Sequence, residues 1–310
     1  MSRPGVDPRV LLSLAGAAAE EAAAMLAGRR ATGRPGVLTT KSSPTDVVTE
    51  ADRAAEAMIT ERILGERPGD LILGEEGGLH GAPAGTPEPG GAAGSGAGAH
   101  GAGAHGAGAG AGAHGPGGGA VRWIVDPLDG TVNYMYGLPD FAVSIAAEVD
   151  GMIAAGVVHA PVRGEVYSAV AGGGAWLRSG QAPAVRLRCN QHVPLAQALV
   201  ATGFGYRAAR RRVQGEVVAA LLPVVRDIRR AGSAALDLCS VAAGRVDAYY
   251  ERGANYWDIA AGGLIATEAG ATVGGLAGKQ AGPDLTIAAG PDLFGALAGH
   301  LASLDPERDA

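Results

Sequence analysis

Cysteine is scarce in this chain of 310 residues, with only Cys189 and Cys239 present. Two thiols cannot build a disulfide framework, which removes the small secreted scaffolds and points to a reducing, cytoplasmic setting. Both cysteines read as small buried apolar residues rather than as catalytic thiols. Long apolar runs are missing too. No stretch of 18 residues is free of interruption, because Glu20 and Glu21 break the apolar N-terminal segment. The expectation is no transmembrane span and no cleaved leader. Net positive charge is also absent. A formal charge of −6 disfavours nonspecific nucleic-acid binding and leaves no basic patch for a membrane. What remains is a chain long enough to bury a sizeable core, as one large domain or two intimate ones.

One segment lacks every large side chain. Residues 90–120 contain only Gly, Ala, His, Ser and Pro, in imperfect Gly-Ala-Gly-Ala-His repeats. Such a stretch cannot offset its conformational entropy by burial and is expected to be disordered. It has no three-residue collagen period, and its Gly-Ala character is silk-like, which favours some self-association of unfolded material. His80, His100, His105 and His114 show no fixed ligand spacing, so a neutral linker is preferred over a transition-metal site.

The richest stretch is Trp-Ile-Val-Asp-Pro-Leu-Asp-Gly-Thr-Val-Asn-Tyr at residues 123–134. An apolar run over residues 121–125 predicts a buried strand that ends in two carboxylates, Asp126 and Asp129. Pro127 fixes its own φ and turns the chain there. The turn holds both acids close, with the Leu128 carbonyl between them, giving three oxygen ligands within four residues. Gly130 admits a close backbone approach, and the amides of Gly130 and Thr131 form an anion-binding nest. Acids facing a hard cation, beside amides facing an anion, are the parts that hold a metal-bound phosphate. The plain alternative is that Asp-Pro and Asp-Gly simply turn the chain.

Around this stretch the chain alternates between helix and strand. Residues 7–30 form an amphipathic helix ending on Arg29 and Arg30. Thr49 caps a second helix over residues 50–64 with Asp52 in its first turn. Residues 71–74 make a short strand before Glu75-Glu76-Gly77-Gly78. Strands over 141–149, 152–159 and 165–170, with Asp150-Gly151 as a two-residue hairpin turn, predict an antiparallel meander flanked by the two helices. The glycines of residues 172–176 break it, and residues 183–194 lead into a second half. There, strands at 199–202, 224–229 and 247–251 alternate with helices at 206–222 and 233–243, the latter opened by a serine cap, and with a helix from Asp258 to 269. Asp258 is placed as that helix's N-cap. Arg210, Arg211 and Arg212 read as a solvated helix face, and His159 and His192 as structural or surface histidines. The division expected is residues 1–183, helices plus antiparallel sheet, and residues 184–310, an α/β half.

Residues 123–134 resemble the first signature of the inositol monophosphatase family, magnesium-dependent phosphatases of small phosphate esters. Residues 257–271 resemble the second. With residues 41–52 and 74–77, the likeness covers nearly the whole chain except 80–120, which is then an insertion between Glu75 and Asp126. A roughly fourfold longer loop costs about 1.2 kcal/mol of closure entropy, which a domain of this size tolerates. The resemblance implies the layered αβαβα sandwich of the inositol monophosphatase and fructose-bisphosphatase type, mixing α+β and α/β character. It implies metal ligation by Glu75, Asp126, the Leu128 carbonyl, Asp129 and Asp258. It makes Asp52, Thr131 and Glu75 catalytic, with substrate contacts from Leu128, Asp129, Gly130, Thr131, Glu251 and Asp258. Lys41 falls on the rim of the metal site, Glu76 is left without a role, and a homodimer is implied. Val132-Asn133 is similar to the inositol branch. Tyr134 replaces the usual Phe, Ala271 replaces a Gly, and Arg230 stands where animal members carry a small hydroxyl residue.

No histidine or cysteine joins these acids in the motifs, and an all-oxygen set selects Mg2+, with Mn2+ as a substitute, over zinc or copper. Four acids would over-charge one ion, so two or three ions balance the site better. The chemistry expected is hydrolysis of a small polyol phosphate, inositol 1-phosphate foremost, by water that Thr131 and Asp52 orient, with no covalent intermediate. The rivals are a histidinol-phosphate or fructose-1,6-bisphosphate phosphatase of the same fold, and a non-catalytic metal- or partner-binding protein.

Overall fold

Apolar side chains recur at intervals of three and four near the N-terminus, and a helix follows from that spacing. In the computed structural model, which describes residues 6–32, 37–40, 47–81 and 121–308, α1 (Pro8–Thr32) buries Leu11, Leu14, Ala15, Ala18, Ala22 and Leu26. β1 (Val37–Thr40) and β2 (Val47–Thr49) pair antiparallel. Thr49 then caps α2 (Glu50–Glu66), with Asp52 completing a capping box. Next come β3 (Leu71–Gly74), β4 (Gly78–His80), β5 (Arg122–Asp129), the short α3 (Thr131–Tyr136), β6 (Ala142–Val149), β7 (Met152–Ala160), β8 (Glu165–Val170), β9 (Gly174–Ser179) and β10 (Val185–Arg186). The remainder runs β11 (Leu199–Thr202), α4 (Ala208–Leu221), β12 (Asp227–Arg229), α5 (Ala234–Ala242), β13 (Ala248–Glu251), α6 (Tyr256–Glu268), β14 (Thr272–Gly274), β15 (Thr286–Ala289) and α7 (Pro291–Ser303).

The strands assemble into an eight-stranded sheet, ordered β10-β9-β8-β7-β6-β5-β3-β4, and a five-stranded sheet, ordered β12-β11-β13-β15-β14. Side chains alternate across β5, and the two faces find different partners. Trp123 and Val125 pack with Ala15, Ala22, Ile59 and Ile63 of α1 and α2. Ile124 on the other face packs with Leu236 of α5 and with Ala261 and Ile265 of α6. The opposite sides of α5 and α6 place Leu238, Val241 and Ile259 against Ala201, Tyr249 and Ala288 of the smaller sheet. That sheet's far face, with Val200, Tyr250 and Ile287, is covered by Val217 and Leu221 of α4 and Leu293, Leu297 and Leu301 of α7. The layers are therefore α, β, α, β, α, as the resemblance implies. Each fully buried Leu, Ile or Val contributes about 1.5–3 kcal/mol, and the middle helix layer collects this from both sides.

The structure corrects several expectations. Residues 172–176 do not end the sheet, because Gly172 and Gly174 turn the chain with positive φ and β9 continues it. Glu268 of α6 secures that turn by accepting the N–H groups of Gly172 and Gly174, both at 2.7 Å. The strand expected at 224–229 shrinks to β12, since Pro223 sits in a single 3₁₀ turn. The larger sheet is not wholly antiparallel, because β3 runs parallel to β5. Asp258 is not an N-cap: Asn255 caps α6, and Asp258 is its third residue, closing a capping box. α1 is long and apolar enough to cross a membrane by length and composition, with a mean hydropathy of 1.5, which a search for unbroken apolar runs does not anticipate. Its apolar stripe here packs against α2, β6 and β7, and Glu21 pairs with Arg62 of α2 at 3.3 Å. Lys41, and the histidines of the Gly/Ala segment, lie outside the described residues.

Candidate active site

In a regular strand, residues three apart point to opposite faces. Asp126 and Asp129 escape that rule through a bulge. Asp126 pairs with Ser144 and Asp129 with Ala142, so three steps along β5 match two along β6. The extra residue rotates the strand and brings both carboxylates to the face that carries Ile124, toward α5 and α6. Pro127 sits inside the bulge, where its missing N–H breaks no ladder bond. Asp126 Oδ1 accepts the N–H of Leu128 at 3.0 Å, which fixes the turn. Gly130 follows with φ of 93°, and a Cβ there would lie 2.8 Å from the Asp140 carbonyl oxygen. Only glycine fits the left-handed backbone and the close approach together.

Thr131 opens α3, and its hydroxyl lies 3.1 Å from Asp52 Oδ1 and 3.0 Å from the Leu128 carbonyl. Asp52 is itself held by α2's cap, its Oδ2 accepting the Thr49 N–H at 2.8 Å and the Thr49 hydroxyl. The pairing of Asp52 with Thr131, which the resemblance implies, is therefore present. Glu75 lies beside Asp126 because β3 and β5 run parallel, with Gly74 opposite Val125; its N–H donates to the Val125 carbonyl at 3.2 Å.

Burial and like charge act together on this group. Asp126 is held well above the ordinary carboxylate range, first by burial and then by Glu75, Asp129 and Asp258. Asp258 is raised well above it too, again by burial first, then by Glu75 and Asp129. Asp129 is raised by burial but partly relieved by Ser233, the Ala235 and Ala234 amides and Arg230. Its Oδ2 accepts from the Ser233 hydroxyl at 2.6 Å and the Ala235 N–H at 2.7 Å. Glu251, at the end of β13, is pushed up to about 7 by burial, with Asp129 adding to the rise, while a hydrogen bond from Tyr249 opposes it. A Cβ on Gly203 would fall 1.8 Å from Glu251 Oε2, so the backbone at Gly203 runs directly over this carboxylate.

The site thus brings Asp126, Asp129, Glu75 and Asp258 within electrostatic reach of one another, with Glu251 reached through Asp129 and Asp258. Sequence reasoning identifies Ser233 as a cap but not as the partner of Asp129. It passes over Asp237, a buried acid raised well above its ordinary range by burial and then by Glu251 and Asp129. A lone acid in the apolar run Ala-Ala-Leu-Asp-Leu-Cys-Ser-Val-Ala was the available signal.

Does this group suit a cation? The donors are oxygen atoms of carboxylates and a carbonyl, and buried carboxylates that raise one another's pKa are relieved by positive charge. The Ser144 hydroxyl, paired across from Asp126, is buried and has no protein hydrogen-bond partner. Among the described residues, no three Asp, Glu, His or Cys side chains are already closed around one point as a cage. The donor set fits a hard divalent ion.

Comparison with known proteins agrees with the layered fold. The profile described as the inositol monophosphatase family matches residues 7–305. An inositol-1-monophosphatase of Mycobacterium leprae is 43% identical over 307 residues, covering 96% of this chain and 95% of its own length. The solved structure of Mycobacterium tuberculosis SuhB superposes with a TM-score of 0.73 at 40% identity, covering 97% of this chain and 99% of that one. A protein of Pasteurella multocida named Nus factor SuhB is 38% identical over 242 residues, covering 77% of this chain and 76% of its own. On the fold, the bulged Asp-Pro-Leu-Asp turn and a sequence match running almost from end to end, this chain belongs to the inositol monophosphatase family.

Proposed function

We propose that this phosphatase is a metal-dependent phosphomonoesterase of small polyol phosphates, with inositol 1-phosphate as its first candidate substrate. The observation that carries the reading is the Asp52–Thr131 hydrogen bond beside the bulge, since it gives a hydroxyl whose proton is taken and whose oxygen is left able to accept from a water. The residues that would hold magnesium are Glu75, Asp126, the Leu128 carbonyl, Asp129 and Asp258, with manganese as a substitute. Bound there, divalent ions supply Lewis acidity that favours ionisation of water and offsets charge on the leaving oxygen. Two or three ions balance four acids and a phosphate.

The chain's own residues do the rest. Asp52 accepts the Thr131 hydroxyl proton, and Thr131 Oγ1 accepts a hydrogen bond from the attacking water and so aims it at phosphorus. The Gly130 and Thr131 amides donate to phosphate oxygens. Ser233 and the Ala235 amide fix Asp129 so that one oxygen stays directed at the site. Glu251 accepts from substrate hydroxyls, which fits a polyol better than a nucleotide. Within the same reading the protein is a homodimer in the cytoplasm, a reducing setting with which two buried free cysteines are consistent.

Phosphate release with magnesium from inositol 1-phosphate, histidinol phosphate and fructose 1,6-bisphosphate tests the substrate class. Preference for inositol 1-phosphate by tenfold or more in kcat/KM is expected. Preference for either rival redirects the substrate, and no release from any of them removes the enzymatic reading. Asp129→Asn keeps both acceptor contacts through its amide oxygen and should lose turnover by orders of magnitude while its melting profile is retained. Near-normal turnover in that variant refutes the assignment of Asp129.

A further inference from the structure

Helix α2 carries a second acid one turn beyond Asp52, on the same side of the helix. Glu56 is 5% exposed and reaches the turn between β3 and β4. Its Oε2 accepts the N–H of Glu76 at 2.8 Å and its Oε1 the N–H of Gly77 at 2.7 Å. Two backbone amides of the segment that presents Glu75 therefore end on one buried carboxylate. The glycines on either side make room for it. A Cβ on Gly74 would lie 2.5 Å from Glu56 Cδ, and one on Gly77 would lie 2.7 Å from Oε1 and 2.0 Å from His80 Nε2. His80 closes the outer side, with Nε2 3.8 Å from Glu56 Oε1.

We infer that Glu56 is a positioning residue for Glu75, clasping the β3–β4 turn so that this carboxylate stands ready beside Asp126 before any cation arrives. The inference rests on the metal-site reading above. Turns between strands are ordinarily free to shift by an ångström or more, and Glu75 lies just past the last paired residue of β3. Its backbone is anchored inward by one bond to Val125, and the clasp supplies the anchor on the other side. Asp52 and Glu56 thereby tie both halves of the site, Thr131 and Glu75, to one rigid helix.

The experiment uses the full chain and three readouts. Magnesium affinity is measured calorimetrically, magnesium activation of turnover is measured kinetically, and amide exchange over residues 71–81 is followed in metal-free protein. Glu56→Gln keeps one acceptor and Glu56→Ala keeps none. Loss of an outer partner of a metal ligand weakens binding or activity roughly 10–100-fold. The expected result is about tenfold weaker magnesium binding for Gln and more for Ala, with faster exchange confined to the turn. At saturating magnesium, kcat should stay within a few-fold of wild type, whereas Glu75→Gln loses turnover at every magnesium concentration. Unchanged affinity and exchange in Glu56→Ala overturn the inference, as does a kcat loss that magnesium cannot restore. Wild-type protein that binds no magnesium instead overturns the site reading itself. If either Glu56 variant fails to fold, Gly77→Ala wedges the same contact from the turn side. A normal magnesium affinity in that variant likewise overturns the inference.

Discussion

Replacing Asp52 by asparagine isolates one proton. The carboxylate has two jobs on its two oxygens: Oδ2 holds the helix cap, accepting the Thr49 N–H at 2.8 Å and the Thr49 hydroxyl, and Oδ1 accepts the Thr131 hydroxyl at 3.1 Å. A carboxamide offers one acceptor and one donor, so it can keep only one job. The Thr49 N–H is buried, and taking away the acceptor it has costs about 1–3 kcal/mol. The amide oxygen therefore goes to the helix cap and its NH2 turns to Thr131. Thr131 then gives its proton to the Leu128 carbonyl, already 3.0 Å away, and its lone pair accepts from the new amide instead of from water. Stability changes little. Charge-assisted bonds become neutral ones, a loss of about 1 kcal/mol each, while a carboxylate that burial holds above its ordinary pKa range is removed. The midpoint of thermal unfolding should move by only a few degrees. Turnover should fall roughly 10²-fold or more, the usual worth of positioned acid–base assistance. Phosphate release at saturating magnesium and substrate, with thermal melts on the same samples, checks both halves. Thr131→Ser, which keeps the hydroxyl, should lose far less. An Asp52→Asn enzyme that retains a third of wild-type kcat refutes the assignment of Thr131's proton.

Two further outcomes follow from the site and its surroundings. Glu251 titrates near 7 in the fold against 4.5 unfolded, so the native state binds this proton more tightly. Its stabilisation is complete below about 4.5 and is lost as pH rises through about 7, by up to roughly 3 kcal/mol. Metal-free protein should therefore melt lower at pH 8 than at pH 5.5, and Glu251→Gln should flatten that difference; an equal slope in the variant contradicts the assignment. The connection between β4 and β5 offers a separate test. His80 and Trp123 pair with Ile72 from opposite sides, so its ends are about two strand spacings apart, ~10 Å, which roughly eight residues span easily. Replacing residues 84–118 by such a linker should keep kcat within about twofold and raise stability by about 1 kcal/mol through a roughly threefold shorter closure. A tenfold loss of activity would show that the site depends on the segment.

Much of the molecule is written locally. The Thr49–Asp52 capping box, the serine opening α5 and the Asp150-Gly151 turn each depend on residues within a few positions of one another, and each forms where local chemistry places it. The strand that ends in Asp126-Pro127-Leu128-Asp129 is equally legible, because an apolar run and a proline act over single steps. The failures are instructive for the same reason. Asp258 reads as a cap because an acid at a helix start usually is one. The residue before Tyr256 that takes the role is Asn255, and the two differ only by which amide each side chain meets.

What only the tertiary structure decides is who meets whom across long separations. Asp129 is fixed by Ser233, 104 residues away. Asp52 finds Thr131 across 79 residues, and Glu56 finds Gly77 across 21. No local propensity encodes these meetings, since each depends on the order in which strands lie side by side and on which face a helix covers. β3 settles next to β5, and α5 and α6 slide between two sheets, because that arrangement buries both faces of the middle layer. The sequence by itself supplied the acids and the turns. Burial of apolar faces, which acts on the whole chain at once, decided that they share one site.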